Sequence, residues 1–436
     1  MSFQTILRNT ILATSALTLG ASALAAEKPD KIKVGIATFL SGPASVFGQP
    51  GQEAANLYID ELNKNGGIHG VTVEPIYIDE GKGSSSLQSD YRRTVRDEEA
   101  DLMLAAISSG HCLAIGPLAE DLEVPNIMWD CGTERALEQK NYQWSVRSGG
   151  NAVSEMVASV LYLLTVYPDF KTIAVVNQDY AWGHDSWEIF STVLKQLKPD
   201  VEIVEEFFPK FGAPDYSSEI SRLQSLRPDV ILSTSWGGDL DTFATQASQR
   251  GLFRQSKFFL ALGESSLERL GNKLPEDVLI GARGDHYFLH PEYQDDSKHQ
   301  DFVKKYHEET GDYPIYPVYH MVQAMEAMVG AYDKAIEENG GDWPDKEQVA
   351  DALRGLTFRG LTSEVTIRPE DGQGLEDQMF GTTTASSEYD FRTLKDIMVV
   401  PGELVTTPPG ESTEEWLKTL DRDLLDEVEL YEGDSK

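Results

Sequence analysis

The sequence predicts an α/β protein of two lobes, each built on a doubly wound parallel sheet. Strand and helix patterns alternate from Lys31 to Trp129, and a second run of the same alternation extends from Lys171 to Arg283. The length of 436 residues also exceeds what one hydrophobic core usually holds. Helical patterns without intervening strands follow over 301–310, 318–338 and 346–356. We expect these helices to return to an earlier lobe, so that the chain crosses between the lobes three times.

The first lobe opens on a short strand rich in β-branched residues, over 31–39. An amphipathic helix is predicted over 51–63, and it stops at Asn65-Gly66-Gly67. Further strands are predicted over 71–79, 102–107 and 126–129, with helices over 84–97 and 112–122. The run over 102–107 is uniformly apolar, which is typical of a buried parallel strand.

The second lobe shows the same rhythm after a helix over 154–167. Its strands are predicted over 171–177, 201–208, 229–234, 257–260 and 278–283, and its helices over 186–197, 217–226 and 241–250. A strand over 361–369 is expected to re-enter this lobe, and a short acidic helix is expected over 414–429. The predicted division is 31–148 and 284–356 for the first lobe, 149–283 and 357–410 for the second, and 411–436 for a tail.

Residues 1–25 have the pattern of a secretory signal peptide. Arg8 precedes the apolar stretch Ile11–Leu19, and Ala23-Leu24-Ala25 has the small residues of a cleavage site. The apolar stretch is too short to span a bilayer. The mature protein is therefore expected in the periplasm, without membrane insertion, and an uncleaved N-terminal anchor is the alternative.

Charge and cysteine content restrict the function further. A formal net charge of -35 argues against nucleic acid and anionic lipid surfaces as partners, because both require basic patches. The two cysteines, Cys112 and Cys131, are expected to form a disulfide in an oxidising compartment. With so few soft ligands, no metal site is predicted, and no cofactor is predicted either.

Ligands of open parallel sheets bind outside the carboxyl ends of the strands, so residues just after each strand are the candidates. The first lobe contributes Phe47, Ser108, Ser109, Asp130, Gly132 and Thr133, and the second contributes Tyr180, Trp182, Trp236, Asp239 and Glu264. Hydroxyls and N–H groups at helix N-termini suit a carboxylate, aromatic rings suit an apolar body, and acids suit an ammonium group. Glycine and serine after strands are also ordinary turn residues. The combination predicts a small ligand held between the lobes.

At these positions the chain resembles the periplasmic type I solute-binding proteins of ABC transporters, in the branched-chain amino-acid (Leu/Ile/Val) binding group. The resemblance extends from Ile32 to about Pro369 and is most specific at Leu40-Ser41-Gly42-Pro43, Asn63–Gly70 and Tyr180-Ala181-Trp182-Gly183. It implies two lobes that close around a small solute and present it to a membrane permease, with no reaction catalysed. It also implies carboxylate-binding roles for Ser109 and Thr133, aromatic positions at Phe47, Tyr180 and Trp236, and an ammonium partner in Glu264.

The solute and the wider role remain open at this point. Trp182, Trp187 and Trp236 give the pocket region more indole than a leucine site needs, so an aromatic amino acid, an amide such as urea or an aromatic carboxylate is an alternative. Trp129 and Trp187 are equally compatible with the core. No nucleophile elbow, zinc-protease motif or phosphate loop is present, and a glycoside-hydrolysing pair at Asp239 and Glu264 is the weakest reading. A ligand-binding sensor module that feeds a signalling partner is the other alternative.

Overall fold

The computed structural model describes residues 27–434, so the predicted signal peptide lies outside the described residues. The first sheet is built from the N-terminal part of the chain. Its strands and helices are β1 (Lys31–Thr38), α1 (Ser45–Lys64), β2 (Thr72–Asp79), α2 (Ser84–Arg96), β3 (Leu102–Leu104), α3 (Ser109–Leu122), β4 (Asn126–Met128), α4 (Arg135–Glu138) and β5 (Ser145–Arg147). The strands lie in the order β2-β1-β3-β4-β5, and every neighbouring pair is parallel.

The chain then crosses to a second lobe with the same alternation. Its elements are α5 (Ala152–Val166), β6 (Thr172–Val176), α6 (Ala181–Leu197), β7 (Glu202–Phe207), α7 (Ser217–Leu226), β8 (Val230–Ser233), α8 (Gly237–Gln249), β9 (Lys257–Leu260), α9 (Leu267–Leu270) and β10 (Leu279–Gly281). Helix α5 starts at a capping box in which Asn151 and Ser154 satisfy each other's backbone N–H groups. This cap fixes the first residues of the second lobe.

The remaining chain returns to both lobes. It forms α10 (Ser297–Thr310), α11 (Tyr316–Glu338), α12 (Lys346–Leu353), β11 (Thr357–Arg359), β12 (Glu364–Ile367), β13 (Gly374–Leu375), β14 (Gln378–Thr384), β15 (Thr393–Val400), α13 (Gly402–Val405), α14 (Thr413–Leu417) and β16 (Glu429–Asp434). Short 3₁₀ turns lie at Glu80–Lys82, Leu252–Arg254, Gly263–Ser266, Gly271–Lys273, Pro291–Tyr293 and Arg422–Asp426. Among the described residues, no helix is both long enough and apolar enough to cross a bilayer.

Helix α11 anchors the C-terminal half to the first lobe. It packs along α1 and also contacts α12 and β4. Pro317 occupies its first turn, where the missing N–H costs nothing. These contacts place α11 against the first lobe, and its N-terminal residue Tyr316 lies at the space between the lobes.

The second sheet is larger than the sequence predicted. Its order is β16-β15-β14-β10-β9-β8-β6-β7, and the last three strands of the chain add to β10 in antiparallel fashion. The predicted tail thus supplies β16. The acidic helix expected over 414–429 is shorter in the structure, where α14 is followed by the 3₁₀ turn Arg422–Asp426. The strand expected over 361–369 to re-enter this lobe is β12, which instead pairs with β11 and β13 in a separate small sheet. The return to the second lobe begins at β14.

The three crossings between the lobes meet at Glu376. Its Oε2 accepts from the N–H of Gly150 on the first crossing at 2.7 Å, and its Oε1 accepts from Nε2 of Gln323 on α11 at 3.1 Å. Oε1 of Gln378 on the third crossing accepts from the N–H of Gly284 on the second at 3.2 Å. Hydrogen bonds of Glu376 and Gln378 therefore join the three crossings, which are far apart in sequence.

A disulfide joins Cys112 on α3 to Cys131 after β4, as expected from the sequence. Both sulfurs are buried. The bridge holds the N-terminal turn of α3 against the end of β4, and these two positions carry Ser109 and Asp130.

Candidate functional site

A narrow cleft with a cavity volume of about 10 Å³ lies between the two lobes. Its first-lobe wall consists of Phe47, Ile107, Ser109, Asp130 and Gly132. Its second-lobe wall consists of Tyr180, Trp182, Trp236, Leu262 and Arg283, and Tyr316 of α11 closes one side. The structure therefore brings together most of the residues that were singled out at strand ends in the two lobes.

The first-lobe wall carries a hydroxyl and an acid on adjacent connections. Ser109 is the first residue of α3, and its Oγ accepts from the N–H of Thr133 at 3.2 Å. Asp130 follows β4 and is buried. The ring of Phe47 lies 5.1 Å from that of Trp236 and 4.9 Å from that of Tyr316, measured between centroids. This wall thus combines small polar groups with one aromatic face.

The second-lobe wall is dominated by aromatic side chains at helix N-termini. Tyr180 precedes α6, and its hydroxyl accepts from Nε1 of Trp236 at 2.5 Å. Nε1 of Trp182 donates to the carbonyl of Thr234 at 2.9 Å. Burial raises the pKa of Tyr180 well above its ordinary value, so its hydroxyl stays protonated. These contacts fix the orientation of the rings that face the cavity.

Arg283 is the main residue that sequence reasoning missed. Its Nη1 lies 3.0 Å from Oδ2 of Asp130, and its Nε donates to Oε1 of Glu155 at 3.0 Å. The guanidinium carbon lies 5.2 Å from the ring centroid of Trp182 and 5.8 Å from that of Tyr316. Burial opposes the charge of Arg283, but Asp130 and Glu155 outweigh it and raise the pKa of the guanidinium. A permanently charged group therefore lies between two aromatic rings.

The lobes touch directly around this cavity. A Cβ added at Gly132 would collide with the ring of Trp182 from the opposite lobe. Next to it, Oγ1 of Thr133 donates to Oδ2 of Asp185 on α6 at 2.7 Å, and Nη2 of Arg135 donates to the same oxygen at 3.0 Å. The described conformation is therefore one in which the lobes are together.

Four predicted site residues do not line the cavity. The N–H of Ser108 donates to Oε2 of Glu80 at 3.3 Å, and Thr133 bonds to Asp185 as described. Asp239 accepts from Nε2 of Gln178 and from the N–H of Gly212, each at 2.9 Å. Their roles in binding remain predictions.

Glu264, the fourth, was expected to meet an ammonium group of the ligand. In the structure it accepts from the N–H of Tyr316 at 3.0 Å, which satisfies a donor at the start of α11. Burial raises the pKa of Glu264 well above its ordinary value. Asp130 is the acid that reaches the cavity.

The remaining missed residues are Ile107, Leu262 and Tyr316. The first two are apolar residues near strand ends, which a search for polar and aromatic groups passes over. Tyr316 belongs to α11, and the local sequence of this helix does not indicate which part of the protein it packs against. Trp129 and Trp187 are core residues: Trp129 donates to the carbonyl of Ala37 at 3.0 Å, and Trp187 stacks on Phe190.

Comparison of sequences finds a match to the family model described as periplasmic binding protein over residues 31–387. The Leu/Ile/Val-binding protein homolog 7 of Brucella abortus (strain 2308) is 26% identical over 283 residues, which are 62% of this chain and 67% of that protein. The leucine-, isoleucine-, valine-, threonine-, and alanine-binding protein of Pseudomonas aeruginosa is 23% identical over 341 residues, covering 77% of this chain and 85% of that protein.

Solved structures share the fold at low sequence identity. A solute binding protein of an ABC transporter from Rhodopseudomonas palustris BisB5, in complex with 3,4-dihydroxy benzoic acid, superposes with a TM-score of 0.74 and 19% identity, covering 88% of this chain and 100% of that one. A leucine binding protein from Thermotoga maritima MSB8 gives a TM-score of 0.68 at 19% identity, covering 85% and 99%. The predicted two-lobed fold is confirmed. The chain belongs to the periplasmic binding protein family, whose members are extracytoplasmic solute-binding proteins and not enzymes.

Proposed function

We propose that the protein captures a small carboxylate in the periplasm, an amino acid or an aromatic acid, and delivers it to the permease of an ABC importer. The observation that carries this proposal is the placement of Arg283 in the cavity between the lobes, flanked by the rings of Trp182 and Tyr316. A guanidinium N–H donates a charge-assisted hydrogen bond to a carboxylate, and the rings suit an apolar body next to it.

The chemistry of the walls supports a carboxylate over a neutral amide such as urea. Nε and Nη1 of Arg283 face Glu155 and Asp130, while Nη2 lies beside Gly132 at the first-lobe wall. Ser109 stands on that same wall at the N-terminus of α3, where the positive end of the helix dipole favours an anion. Both groups therefore stabilise negative charge at one end of the cavity.

The comparisons are compatible with either kind of carboxylate. The relatives from Brucella and Pseudomonas are named for aliphatic amino acids, whereas the Rhodopseudomonas protein holds a dihydroxybenzoic acid. A carboxylate is the group that these ligands have in common. Asp130 distinguishes them, because an amino acid brings an ammonium group for it to pair with and a benzoate does not.

Export and delivery are supported by the family and by the sequence. The family is extracytoplasmic, and residues 1–25 have the pattern of a signal peptide. Closure around a solute creates a surface that the open form lacks. A permease that recognises this surface binds only the loaded protein and receives the solute from it.

A thermal-shift screen followed by calorimetry tests the proposal with matched pairs of ligands. Benzoate is compared with benzamide, and leucine and phenylalanine are compared with their amides, so that each pair differs only at the carboxylate. At one hundred times its Kd a ligand stabilises the folded state by about 2.7 kcal/mol, which raises the melting temperature. We expect at least one carboxylate to bind and its amide to bind much more weakly. Equal binding of an acid and its amide would refute the assignment of Arg283.

Ser109→Ala tests the first-lobe wall. We expect it to weaken carboxylate binding by about 1–3 kcal/mol, the usual cost of removing a buried polar partner. Ser108→Ala is the matched control, because Ser108 is the neighbouring residue and its side chain does not line the cavity. If the two variants bind the solute equally well, Ser109 is not a ligand-binding residue.

A further inference from the structure

Two histidines and a glutamate form a buried cluster next to the solute cavity, where the crossings meet. His286 follows β10 on the second crossing, His320 lies on α11, and Glu376 precedes β14 on the third crossing. One nitrogen or oxygen from each lies within 4.8 Å of the others, and all three side chains are buried. The proposed solute site uses neither His286 nor Glu376.

Each ring nitrogen of His320 faces hydrogen-bond acceptors. Its Nδ1 contacts the carboxylate of Asp130, which can only accept, so Nδ1 carries the proton. Its Nε2 then faces two more acceptors, the carbonyl of Arg283 at 3.1 Å and Oε1 of Glu376 at 4.0 Å. A neutral imidazole would direct a lone pair at both oxygens. Only a second proton or a bound cation makes these contacts favourable.

His286 has a matching orientation. Its Nδ1 lies 3.4 Å from Oγ1 of Thr362, and its Nε2 lies 2.5 Å from Oε1 of Glu376. Among the described residues, this Nε2 has no hydrogen-bond partner of acceptable geometry. Both imidazoles thus direct Nε2 towards one carboxylate while an outer oxygen holds Nδ1. An outer hydrogen bond of this kind orients metal-bound histidines and fixes their tautomer.

Among the described residues, Glu376 forms ion pairs with His286 and His320 and with no arginine or lysine. The buried carboxyl groups here include those of Asp130, Glu155, Glu376 and Asp285. The guanidinium of Arg283 contacts the first two, and His290 contacts the last. Arg147, another buried arginine, donates to a backbone carbonyl and to an amide oxygen instead. Neither arginine therefore pairs with Glu376, and a buried carboxylate without a cationic partner is costly away from water.

We propose that His286, His320 and Glu376 bind a divalent transition-metal ion, with Zn²⁺ as the best fit, at the hinge between the lobes. Two imidazoles and one carboxylate form a common donor set for such ions and leave a fourth position for water. Bonds of about 2.0–2.2 Å place the ligand atoms of a tetrahedral zinc site about 3.3 Å apart. The two distances to Oε1 of Glu376, 2.5 Å and 4.0 Å, lie on either side of that value.

The ion would join the second crossing, the third crossing and α11 at one point. It would also hold His320, which contacts Asp130 on the cavity wall. The sequence predicted no metal site because soft ligands are few. These three ligands come from distant segments without a spacing motif, so no local pattern indicated them. The tertiary fold alone brings these ligands together. The bound ion would hold the hinge segments together whichever solute is bound.

Zinc titration of the purified protein tests the proposal, after chelator treatment and with Zn²⁺ alone as the probe. Competition with a chromophoric chelator gives affinity, and elemental analysis gives stoichiometry. We expect one equivalent to bind and to raise the melting temperature. His286→Gln and Glu376→Gln should each weaken binding at least about tenfold. His184→Gln is the matched control, because that exposed imidazole pairs with Asp179 outside the cluster, and it should bind zinc as the wild type does.

Wild-type protein that binds less than one equivalent of zinc overturns the proposal, and so does binding that survives in both ligand variants. Circular dichroism establishes that each variant is folded. A second measurement needs no variant: Co²⁺ in a four-coordinate site absorbs strongly in the visible region, whereas hydrated Co²⁺ absorbs weakly. A weak, water-like spectrum of the Co²⁺-loaded wild type also overturns the proposal. Solute binding is measured separately, so a failure here leaves the proposed function untouched.

Discussion

The guanidinium of Arg283 faces the carboxylate of Asp130 across the cleft, with Nη1 3.0 Å from Oδ2. Arg283 follows the last parallel strand of the second lobe, and Asp130 follows β4 of the first. The ion pair therefore joins the two lobes. Asp130 therefore stabilises the positive charge of Arg283 before a solute binds, and a solute carboxylate would bind next to this pair.

Replacement of Arg283 should cost both stability and binding. Arg283→Met leaves Glu155 buried without its partner and leaves Asp130 with His320 alone. Breaking a buried pair in this way costs about 3–5 kcal/mol. Urea unfolding measures this loss, and Arg283→Met/Glu155→Gln should recover part of it. Arg92→Met, at an exposed arginine, is the control and should change stability little. Stability equal to wild type in Arg283→Met would contradict the contacts described.

Gly132→Ala should weaken solute binding without unfolding the protein. The added methyl group collides with the ring of Trp182 from the opposite lobe, so closure is blocked while each lobe keeps its own core. We expect affinity to fall at least about tenfold, or about 1.4 kcal/mol, with little change in melting temperature. Calorimetry measures the affinity. Gly110→Ala is the matched control, because its Cβ meets no atom closer than 3.9 Å, and unchanged binding in both variants would show that the contact is not needed for closure.

The strand and helix pattern of the two lobes could be predicted because each element carries its own periodicity. The predicted bounds of α7 and β9 agree with the structure, and β8 differs by one residue at each end. Strand β16 was missed because its residues, Glu429–Asp434, combine acidic side chains with a glycine and show no strand-like alternation of polar and apolar groups. Its pairing with β15 comes from the tertiary fold.

The site was predictable only where its residues follow strands. Phe47, Ser109, Tyr180 and Trp236 were found because they follow the parallel strands of the two lobes. Arg283 ends a predicted strand, and its position in the cavity depends on contacts with Asp130 and Glu155, which belong to other elements. The position of a returning helix cannot be read from its own sequence, since it depends on packing against distant residues.

Loss of the disulfide should destabilise the first lobe and loosen the site. Cys112 and Cys131 are 19 residues apart, and a loop of this size is worth about 3 kcal/mol in the chain-entropy model. We expect Cys112→Ala/Cys131→Ala to lose about this much stability in urea unfolding. Binding should weaken as well, because the bridge holds the chain segments that carry Ser109 and Asp130. Wild type measured with and without reductant is the control, and equal stability of the bridged and unbridged proteins would contradict this account.

The buried His299 should make the protein less stable in mild acid. Its Nε2 lies 2.8 Å from the hydroxyl of Tyr319, and burial lowers its pKa from 6.5 to about 4. The unfolded chain therefore binds a proton more readily than the folded one between these values. The stabilisation is complete above about pH 6.5 and is lost as the pH falls to about 4, by up to roughly 3 kcal/mol. Melting temperature measured against pH in the presence of chelator tests this. His299→Gln should give a shallower slope in that window, exposed His184→Gln should keep the wild-type slope, and a slope unchanged by His299→Gln would refute the prediction.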